Sequence, residues 1–541
     1  MKRTLITTLF ALLALCTATA QSNTSALLPI PSKIESREGE KAFDLRRASL
    51  TINQFSDAGY LAEELERTIA YHTGINIGEN QKCNSSIEFI MTTDKELEEY
   101  ALDISKKRIT ITASTPAGIF YAIKTLDQLM LGDRYNTENG KIAAIRIEDA
   151  PRFGYRGVML DPARHFLPVE DVKLFIDQMA RYKYNVLQLH LTDDQGWRIE
   201  IKSHPKLTSI GAFRRQGGSN NSPDNGYYTQ EQLKELVKYA SERNVEIIPE
   251  LDIPGHSAAI LAAYPQIGCG FRHGTINAGN IGDVTNMMLC ACSEEAYTVY
   301  EDIIREVAAI FPSKRIHLGG DEAAVKDNWA KCGECLALMK EKGYENPSQL
   351  MIDFFGRMLD IVRRNNKEAV LWCELDNIWP PAHDYLLPYP KDVTLVTWRN
   401  ALTPKCIELT RNNGHKLIMA PGEHTYLDYP QWKNDLPEYN NWGMPITSLE
   451  TSYKLDPGYN LPAEEQSHII GVMATMWAEA IKDINRVNYM FFPRGLAIAE
   501  AGWSRMEQRS WESFKTRLLP NLTNLMKLGI SFRVPFEIYR P

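Results

Sequence analysis

The sequence lacks the features of a membrane-spanning or nucleic-acid-binding protein. After its first twenty residues, the 541-residue chain has no apolar run of the roughly eighteen residues that a membrane helix needs. It also has no segment dense in Lys and Arg, and its formal net charge is −8. Since phosphate binding depends on clustered cations, this composition argues against nucleic acid as a partner. We therefore expect a globular protein with no transmembrane segment and no nucleic-acid partner.

The nine cysteines do not follow the spacing of a disulfide framework or of a zinc site. Cys332 and Cys335 form a CxxC motif, and Cys290 and Cys292 lie close together in sequence. A zinc site usually has a second CxxC motif or a pair of His residues at set spacing, and neither is present. The sequence favours one local disulfide or buried thiols over a metal, and it implies no metal or organic cofactor.

The first twenty residues predict export. A basic pair, Lys2 and Arg3, precedes an eleven-residue apolar run, and residues 18–20 offer a small-residue cleavage site. We predict a signal peptide over residues 1–20 and a mature protein that is periplasmic or secreted. Cys16 offers the alternative of a lipid anchor. The residue before it is a leucine, where a lipoprotein signal has a small residue, so cleavage after residue 20 is favoured.

The pattern of apolar residues predicts two folded domains. Residues 24–150 combine strand-like alternation with one helical segment, PAGIFYAIKTLDQLM, and indicate a small α+β domain. Residues 151–505 alternate short apolar runs with helical segments and predict a (β/α)₈ TIM barrel, whose active site lies at the carboxyl ends of its strands. Residues 506–541 are predicted to form a C-terminal helix and tail. The eight apolar runs are RGVMLD, YNVLQLHLTD, VEIIPELD, RIHLGGDE, AVLWCE, VTLVTW, HKLIMAPG and IIGVMATMWAE.

The residues at the ends of these eight runs point to a sugar-binding pocket. Tryptophan faces stack on pyranose rings, and carboxylates bind sugar hydroxyls. The residues, in chain order, are Asp161, Arg164, His165, His190, Asp193, Asp194, Glu250, Asp252, His256, Asp321, Glu322, Trp372, Glu374, Trp398, Arg399, Tyr426, Asp428, Trp477 and Glu479.

The motif RIHLGGDEA carries the candidate catalytic pair. Its two glycines allow a tight turn or the close approach of a ligand after a buried strand. Asp321 and Glu322 follow directly, and neighbours in an extended chain point in opposite directions. We expect them to perform different tasks around one substrate, with burial or their mutual repulsion raising one pKa. Alone, GGDE would fit an ordinary polar loop, but its position after the fourth strand favours catalysis.

Seven motifs in register resemble those of glycoside hydrolase family 20, the β-N-acetylhexosaminidases. The resemblance covers residues 24 to 505. It implies a retaining exo-hydrolase that acts on a glycan bearing a terminal non-reducing β-linked GlcNAc or GalNAc. In that family the substrate's own acetamido oxygen attacks the anomeric carbon to give an oxazolinium intermediate. The motifs are RGVMLDPARHF, HLTDDQGWRIE, IIPELDIPGH, IHLGGDEA, YLD, MWAE and AIAEAGWS.

The resemblance also implies roles for individual residues. Glu322 would be the general acid and base, and Asp321 would hold the acetamido N–H. The rim residues Asp161, Arg164, His165, His190 and Asp194 are expected to brace the barrel through mutual hydrogen bonds. The implied substrate-binding residues are Arg156 and Glu479 for the hydroxyls, Trp372, Trp398 and Trp477 around the acetamido methyl, Tyr426 for the acetamido oxygen, Asp428 for a hydroxyl, and Asp193 with His256 beside the general acid.

Three alternatives remain open from sequence. One is a carbohydrate-binding protein on a degenerate barrel, although a lectin has no need of a general acid. Another is an endo-acting chitinase-like barrel, although that family spaces its acids as DxDxE. The third is an exo-enzyme that releases a disaccharide or a sulfated sugar. The sequence does not determine the preference between GlcNAc and GalNAc, the natural glycan or the oligomeric state.

Overall fold

The computed structural model describes residues 24–51, 59–77, 83–214, 224–270, 278–279, 286–374, 388–435 and 443–539. The predicted signal peptide and Cys16 lie outside these ranges. The described residues form two compact units. The first consists of the residues up to Arg152, Arg181–Lys183 and the residues from Ala499 onward. The second consists of Phe153–Ala180 and Tyr184–Ile498.

The first unit contains a mixed sheet. Six of its strands pair in the order β1-β8-β5-β6-β4-β3, and β2 pairs with β7. Side chains of the central strand β6 alternate between buried and less buried positions, as expected of a sheet with two different faces. The strands are β1 (Lys33–Ser36), β2 (Phe43–Asp44), β3 (Ala48–Thr51), β4 (Ser85–Met91), β5 (Tyr100–Ile104), β6 (Arg108–Ala113), β7 (Lys141–Ile142) and β8 (Ile145–Asp149).

Three helices accompany this sheet: α1 (Gly59–Thr73), α2 (Pro116–Gly132) and α3 (Arg134–Glu138). Helix α2 is the helix predicted from PAGIFYAIKTLDQLM. It begins at a proline, which lacks the N–H that the first turn leaves unpaired. The hydroxyl of Thr115 caps this end by accepting a hydrogen bond from the N–H of Gly118.

The second unit is a closed barrel of eight parallel strands, which confirms the predicted fold class. The barrel order is β10-β13-β14-β15-β16-β17-β18-β9, and β9 pairs with both β10 and β18. Strands β11 and β12 form a separate hairpin. The strands are β9 (Tyr155–Leu160), β10 (Val186–His190), β11 (Thr192–Asp193), β12 (Gly196–Trp197), β13 (Glu246–Ile253), β14 (Arg315–Gly319), β15 (Glu368–Trp372), β16 (Thr394–Thr397), β17 (Leu417–Met419) and β18 (Ile469–Met476).

Helices connect the barrel strands and follow the last of them. Within the described ranges, none is long and apolar enough to cross a membrane. The helices are α4 (Val169–Arg181), α5 (Lys206–Ser209), α6 (Gln230–Ser241), α7 (Ala258–Ala263), α8 (Glu294–Ile310), α9 (Gly333–Lys342), α10 (Leu350–Arg364), α11 (Thr403–Asn413), α12 (Gly422–Thr425), α13 (Leu449–Tyr453), α14 (Ile484–Phe491), α15 (Arg494–Trp503) and α16 (Trp511–Lys527).

The interior of the barrel is a packed apolar core. Its strands read as nearly continuous apolar runs because the barrel interior covers one face and helices cover the other. Trp398 and Trp477 pack against this core and are only partly buried, so they form the boundary between the core and the rim. The buried core residues are Tyr155, Met159, Val186, Ile248, Val370, Trp372, Val396, Ile418, Ala420 and Met473.

Candidate active site

The two adjacent carboxylates follow β14 and have different surroundings. The side chain of Asp321 is buried, whereas that of Glu322 is 48% exposed and its backbone has a φ of 47°. The turn before them depends on Gly319, which has a φ of 65°. A Cβ there would lie 1.7 Å from Oδ1 of Asp252, so a larger residue could not fit. The pair therefore presents one buried carboxylate and one that faces solvent.

Burial raises the pKa of Asp321, with the positive charge of His256 opposing the shift and Glu322 adding to it. The pKa of Asp252 is raised well above its usual value for the same reason, and the nearby Asp321 contributes next. Two neighbouring carboxyls at this end of the barrel, those of Asp321 and Asp252, therefore have raised pKa values, an arrangement typical of catalytic sites.

His256 lies between Asp193 and the catalytic pair. Its Nδ1 is 3.3 Å from Oδ1 of Asp193, and its Nε2 is 3.9 Å from Asp321 Oδ2 and 3.8 Å from Glu322 Oε2. Burial opposes protonation of the ring, but Asp193 and Asp252 outweigh it and raise the pKa of His256 well above 6.5. The structure thus places a cationic imidazole beside both candidate catalytic carboxylates.

Arg164 occupies the rim next to Asp193. Its guanidinium lies 3.1 Å from Asp161 and 2.8 Å from Asp193, and its carbon is 5.0 Å from the centre of the Trp477 ring. Asp161 also accepts a hydrogen bond from the backbone N–H of Ala478. Among the hydrogen bonds predicted between rim residues, the one from Arg164 to Asp161 is therefore present. The Nε of Arg164 is buried and has no hydrogen-bond partner among the described residues.

Arg156 does not lie with the other candidate residues, which corrects the sequence-based interpretation. It pairs in register with Val472, four residues before the end of β18, and so lies at the amino end of β9. Its side chain is buried and donates a hydrogen bond of 2.8 Å to the carbonyl of Phe153. A rise of about 3.3 Å per residue separates it by roughly 13 Å from the rim. Of the two arginines in the motif RGVMLDPARHF, the one at the rim is Arg164.

Aromatic rings form one wall of the site. The ring centres of Trp372 and Trp477 are 5.7 Å apart, and those of Tyr426 and Trp477 are 6.4 Å apart. Trp372 is held in place by a 2.9 Å hydrogen bond from its Nε1 to Glu250. The Nε1 of Trp398 is buried and without a hydrogen-bond partner in the described part of the chain. The structure therefore brings together all four of these predicted aromatic residues near the rim.

Asp428 and Glu479 supply a second acidic pair. Asp428 is buried, and its Oδ1 has no partner among the residues that the structure describes. Burial, and then the charge of Glu479, raises its pKa well above the usual value. Burial also raises the pKa of Glu479, against the opposing charge of Arg164. The Oδ1 of Asp428, unpaired among the described residues, is therefore available to bond a polar group of a ligand.

Glu374 and Arg399 add to the site without having been given a role from sequence. Arg399 lies 3.2 Å from Glu374 and 3.8 Å from Glu322, with its guanidinium over the ring of Trp398 at 3.9 Å. Burial raises the pKa of Glu374 to about 8. The sequence indicated only that both residues follow predicted strands, the fifth and the sixth. That position alone does not distinguish a structural ion pair from a contact with a ligand.

Comparisons with known proteins agree on one family. The family described as glycosyl hydrolase family 20, catalytic domain, matches residues 153–506, and domain 2 of the same family matches residues 24–150. A β-hexosaminidase of Akkermansia muciniphila is 37% identical over 434 residues, which cover 80% of this chain and 84% of the relative.

Solved structures give the same result. An exo-β-N-acetylglucosaminidase from Vibrio harveyi, solved with N-acetylglucosamine, has a TM-score of 0.82 and 30% identity over 95% of this chain and 79% of that one. A Streptomyces plicatus N-acetyl-β-hexosaminidase, solved with thio-NAglucal, has a TM-score of 0.78 and 30% identity, covering 94% of this chain and 97% of the other.

Proposed function

The chain belongs to glycosyl hydrolase family 20, and from that membership we propose that Asp321 and Glu322 carry its reaction. The enzyme is an exo-β-N-acetylhexosaminidase that acts on glycans with a terminal N-acetylhexosamine. One observation supports the assignment most directly. Among the described residues, a buried carboxylate with an unpaired oxygen stands beside a solvent-facing carboxylate at the carboxyl end of a barrel strand.

Each carboxylate has a separate step. Glu322 faces solvent and protonates the glycosidic oxygen as the bond to the anomeric carbon breaks. The substrate's acetamido oxygen forms the new bond to that carbon, giving the oxazolinium. Asp321 accepts a hydrogen bond from the acetamido N–H and stabilises the positive charge that develops. Glu322 then takes a proton from the water that opens the ring, so the product retains its anomeric configuration.

The rest of the rim would hold the sugar. A buried polar atom without a partner costs roughly 1–3 kcal/mol, so such atoms mark where a polar ligand would bond. Asp428, Arg164 and Trp398 each carry one among the described residues. We assign Asp428, Glu479 and Arg164 to the hydroxyls. Trp372, Trp398 and Trp477 would pack on the ring and acetamido methyl, and Tyr426 would donate to the acetamido oxygen.

A substrate panel tests the acetamido-assisted reaction. Purified protein is assayed on 4-nitrophenyl β-GlcNAc, β-GalNAc and β-glucoside. We expect hydrolysis of both acetamido sugars and none of the glucoside, because glucose has no group to act as the nucleophile. The ratio of the first two rates measures the preference at C4. Comparable turnover of the glucoside would refute substrate assistance, and binding of GlcNAc without turnover would favour the lectin alternative.

A second test compares lysine variants of Arg164 and Arg156. Lysine keeps the charge of arginine but loses its planar pair of donors. We expect Arg164→Lys to raise KM about tenfold or more, since charged hydrogen bonds contribute roughly 1.5–3 kcal/mol. The matched variant Arg156→Lys should leave KM unchanged and lower Tm, because that side chain is buried at the opposite end of β9. A raised KM only in Arg156→Lys would restore the sequence-based interpretation.

We also propose that the enzyme acts after export, in the periplasm or the extracellular medium. Residues 1–20 support this, since a basic pair, an apolar run and a small-residue site follow one another in the order of a signal peptide.

The domain limits predicted from sequence, at 150 and 505, remain our proposal for where the catalytic domain begins and ends.

A further inference from the structure

Four cysteine side chains that have no assigned role in catalysis meet in the second unit. Cys269, Cys290, Cys332 and Cys335 are buried, and their Sγ atoms all lie within 4.8 Å of one another. All eight described cysteines are free thiols, so of the two alternatives predicted from sequence, a local disulfide or buried thiols, the disulfide is not found among them. The cluster joins the CxxC motif to two cysteines that lie far from it in the chain.

The spacing of the sulfurs fits a tetrahedral metal site. Four thiolates at about 2.3 Å from a zinc ion lie about 3.8 Å from one another along the edges of the tetrahedron. The Sγ atoms of Cys290 and Cys335 are 3.6 Å apart, whereas a disulfide would require about 2.05 Å. Two separate disulfides would also not require all four sulfurs to approach one another. Four convergent soft ligands of this kind select zinc or iron.

We propose that Cys269, Cys290, Cys332 and Cys335 bind one structural zinc ion. The four thiols release their protons when the metal binds, so zinc neutralises part of a charge that would otherwise be buried without compensation. Cys332 is the N-cap residue of the ten-residue helix α9, so the positive end of the helix dipole lies beside the four sulfurs. The site is independent of the proposed catalytic assignments.

The zinc would join two loops of the barrel. Cys269 and Cys290 belong to the loop after β13, in which the backbone N–H of Cys290 donates to the carbonyl of Ile267 at 2.9 Å. Cys332 and Cys335 belong to the loop after β14. Two hydrogen bonds of 2.9 Å already connect the two loops, one from Nε1 of Trp329 to the carbonyl of Leu289 and one from Nδ2 of Asn328 to the carbonyl of Asn286. The four zinc–sulfur bonds join the same two loops and stabilise the folded state, as a disulfide would.

A fifth cysteine provides a matched control. The Sγ of Cys292 lies 3.7 Å from that of Cys335, but Cys292 is only partly buried and is not one of the four mutually close thiols. Cys335→Ser removes a proposed zinc ligand, whereas Cys292→Ser removes a neighbouring thiol that is not a proposed ligand. Cys83→Ser changes a cysteine of the first unit. We expect zinc to be retained in the last two variants and lost only in the first.

The primary experiment measures metal and thiols in the wild-type mature chain, purified without chelator or reductant. We expect one zinc per chain by mass spectrometry of the elements. Thiol titration in denaturant with a chelator should find all eight cysteines reactive. Removing the zinc from the folded protein should lower Tm by at least about 5 °C, and added zinc should restore it.

Each other result overturns the proposal. No metal and four reactive thiols would show two disulfides in place of the ion. No metal, eight reactive thiols and no thermal effect of added zinc would show plain buried thiols. Iron in the purified protein would refute the assignment to zinc. If Cys335→Ser does not fold, cobalt replaces zinc in the wild-type chain, and the absence of sulfur-to-cobalt charge-transfer bands would exclude a thiolate site.

Discussion

Glu322→Gln is expected to lower kcat/KM by about 10³- to 10⁴-fold on a substrate whose leaving group is a sugar, because glutamine matches the size of glutamate but cannot donate the proton. The loss should be much smaller on 4-nitrophenyl β-GlcNAc, since nitrophenolate departs readily without protonation. The measurement is kcat/KM, which excludes the later attack of water, on a GlcNAc disaccharide and on the aryl glycoside, for the wild type and the variant. The difference between the two losses isolates the proton transfer to the leaving group.

A neighbouring carboxyl of the same rim provides the control. Burial raises the pKa of Glu374 to about 8, so this side chain carries a proton at neutral pH and Glu374→Gln preserves its neutral state. We expect that variant to keep most of its activity on both substrates. Equal losses on the two leaving groups in Glu322→Gln would contradict the general-acid assignment, because they would reflect a disturbed site and not a missing proton.

Asp321→Asn is expected to lower kcat/KM by about 10²- to 10³-fold, the usual effect of removing one preorganised electrostatic partner of a transition state. Asparagine can still accept a hydrogen bond from the acetamido N–H, but it lacks the negative charge opposite the developing oxazolinium. The loss should be similar for aryl and sugar leaving groups, since Asp321 assists the attack and not the departure. That equality distinguishes its variant from Glu322→Gln.

The pH profile gives an independent test of the same residue. Burial raises the pKa of Asp321, so its carboxylate takes up a proton at a higher pH than an exposed aspartate. Protonation removes the charge that stabilises the transition state, and kcat/KM of the wild type therefore falls as pH decreases through this raised pKa. Asp321→Asn should lack that acidic limb. An unchanged limb in the variant would assign the titration to another group.

The barrel was predictable because its signal is local. Each predicted apolar run overlaps one strand of the barrel, from RGVMLD with β9 (Tyr155–Leu160) to IIGVMATMWAE with β18 (Ile469–Met476). Strands covered on both faces need continuous apolar sequence, and the helices between them show the helical period. The catalytic pair was also accessible, since Asp321 and Glu322 directly follow one of these runs.

The error over Arg156 has a geometric cause. The motif RGVMLDPARHF contains two arginines, and the resemblance does not by itself state which end of the strand each one occupies. β9 ends at Leu160, so Arg156 precedes the rim and Arg164 follows it. Counting the rise along the strand would have separated the two.

The cysteine cluster could not be predicted from the sequence because its four residues come from two loops. Motif spacing reveals a metal site when two ligands lie close together in each half, as in paired CxxC motifs. Here only Cys332 and Cys335 meet that condition. Cys269 and Cys290 are brought to them by the folding of the loop after β13, which no local pattern records.

The seam between β9 and β18 determines when the enzyme can finish folding. Tyr155 and Met473 touch across it although they are 318 positions apart in the chain. Closure must therefore wait until nearly the whole catalytic unit has been synthesised. Contacts so distant slow folding. Until they form, both strands present unpaired edges that can capture other chains. Synthesis of β18 is therefore the step after which the barrel can close and these edges can be paired.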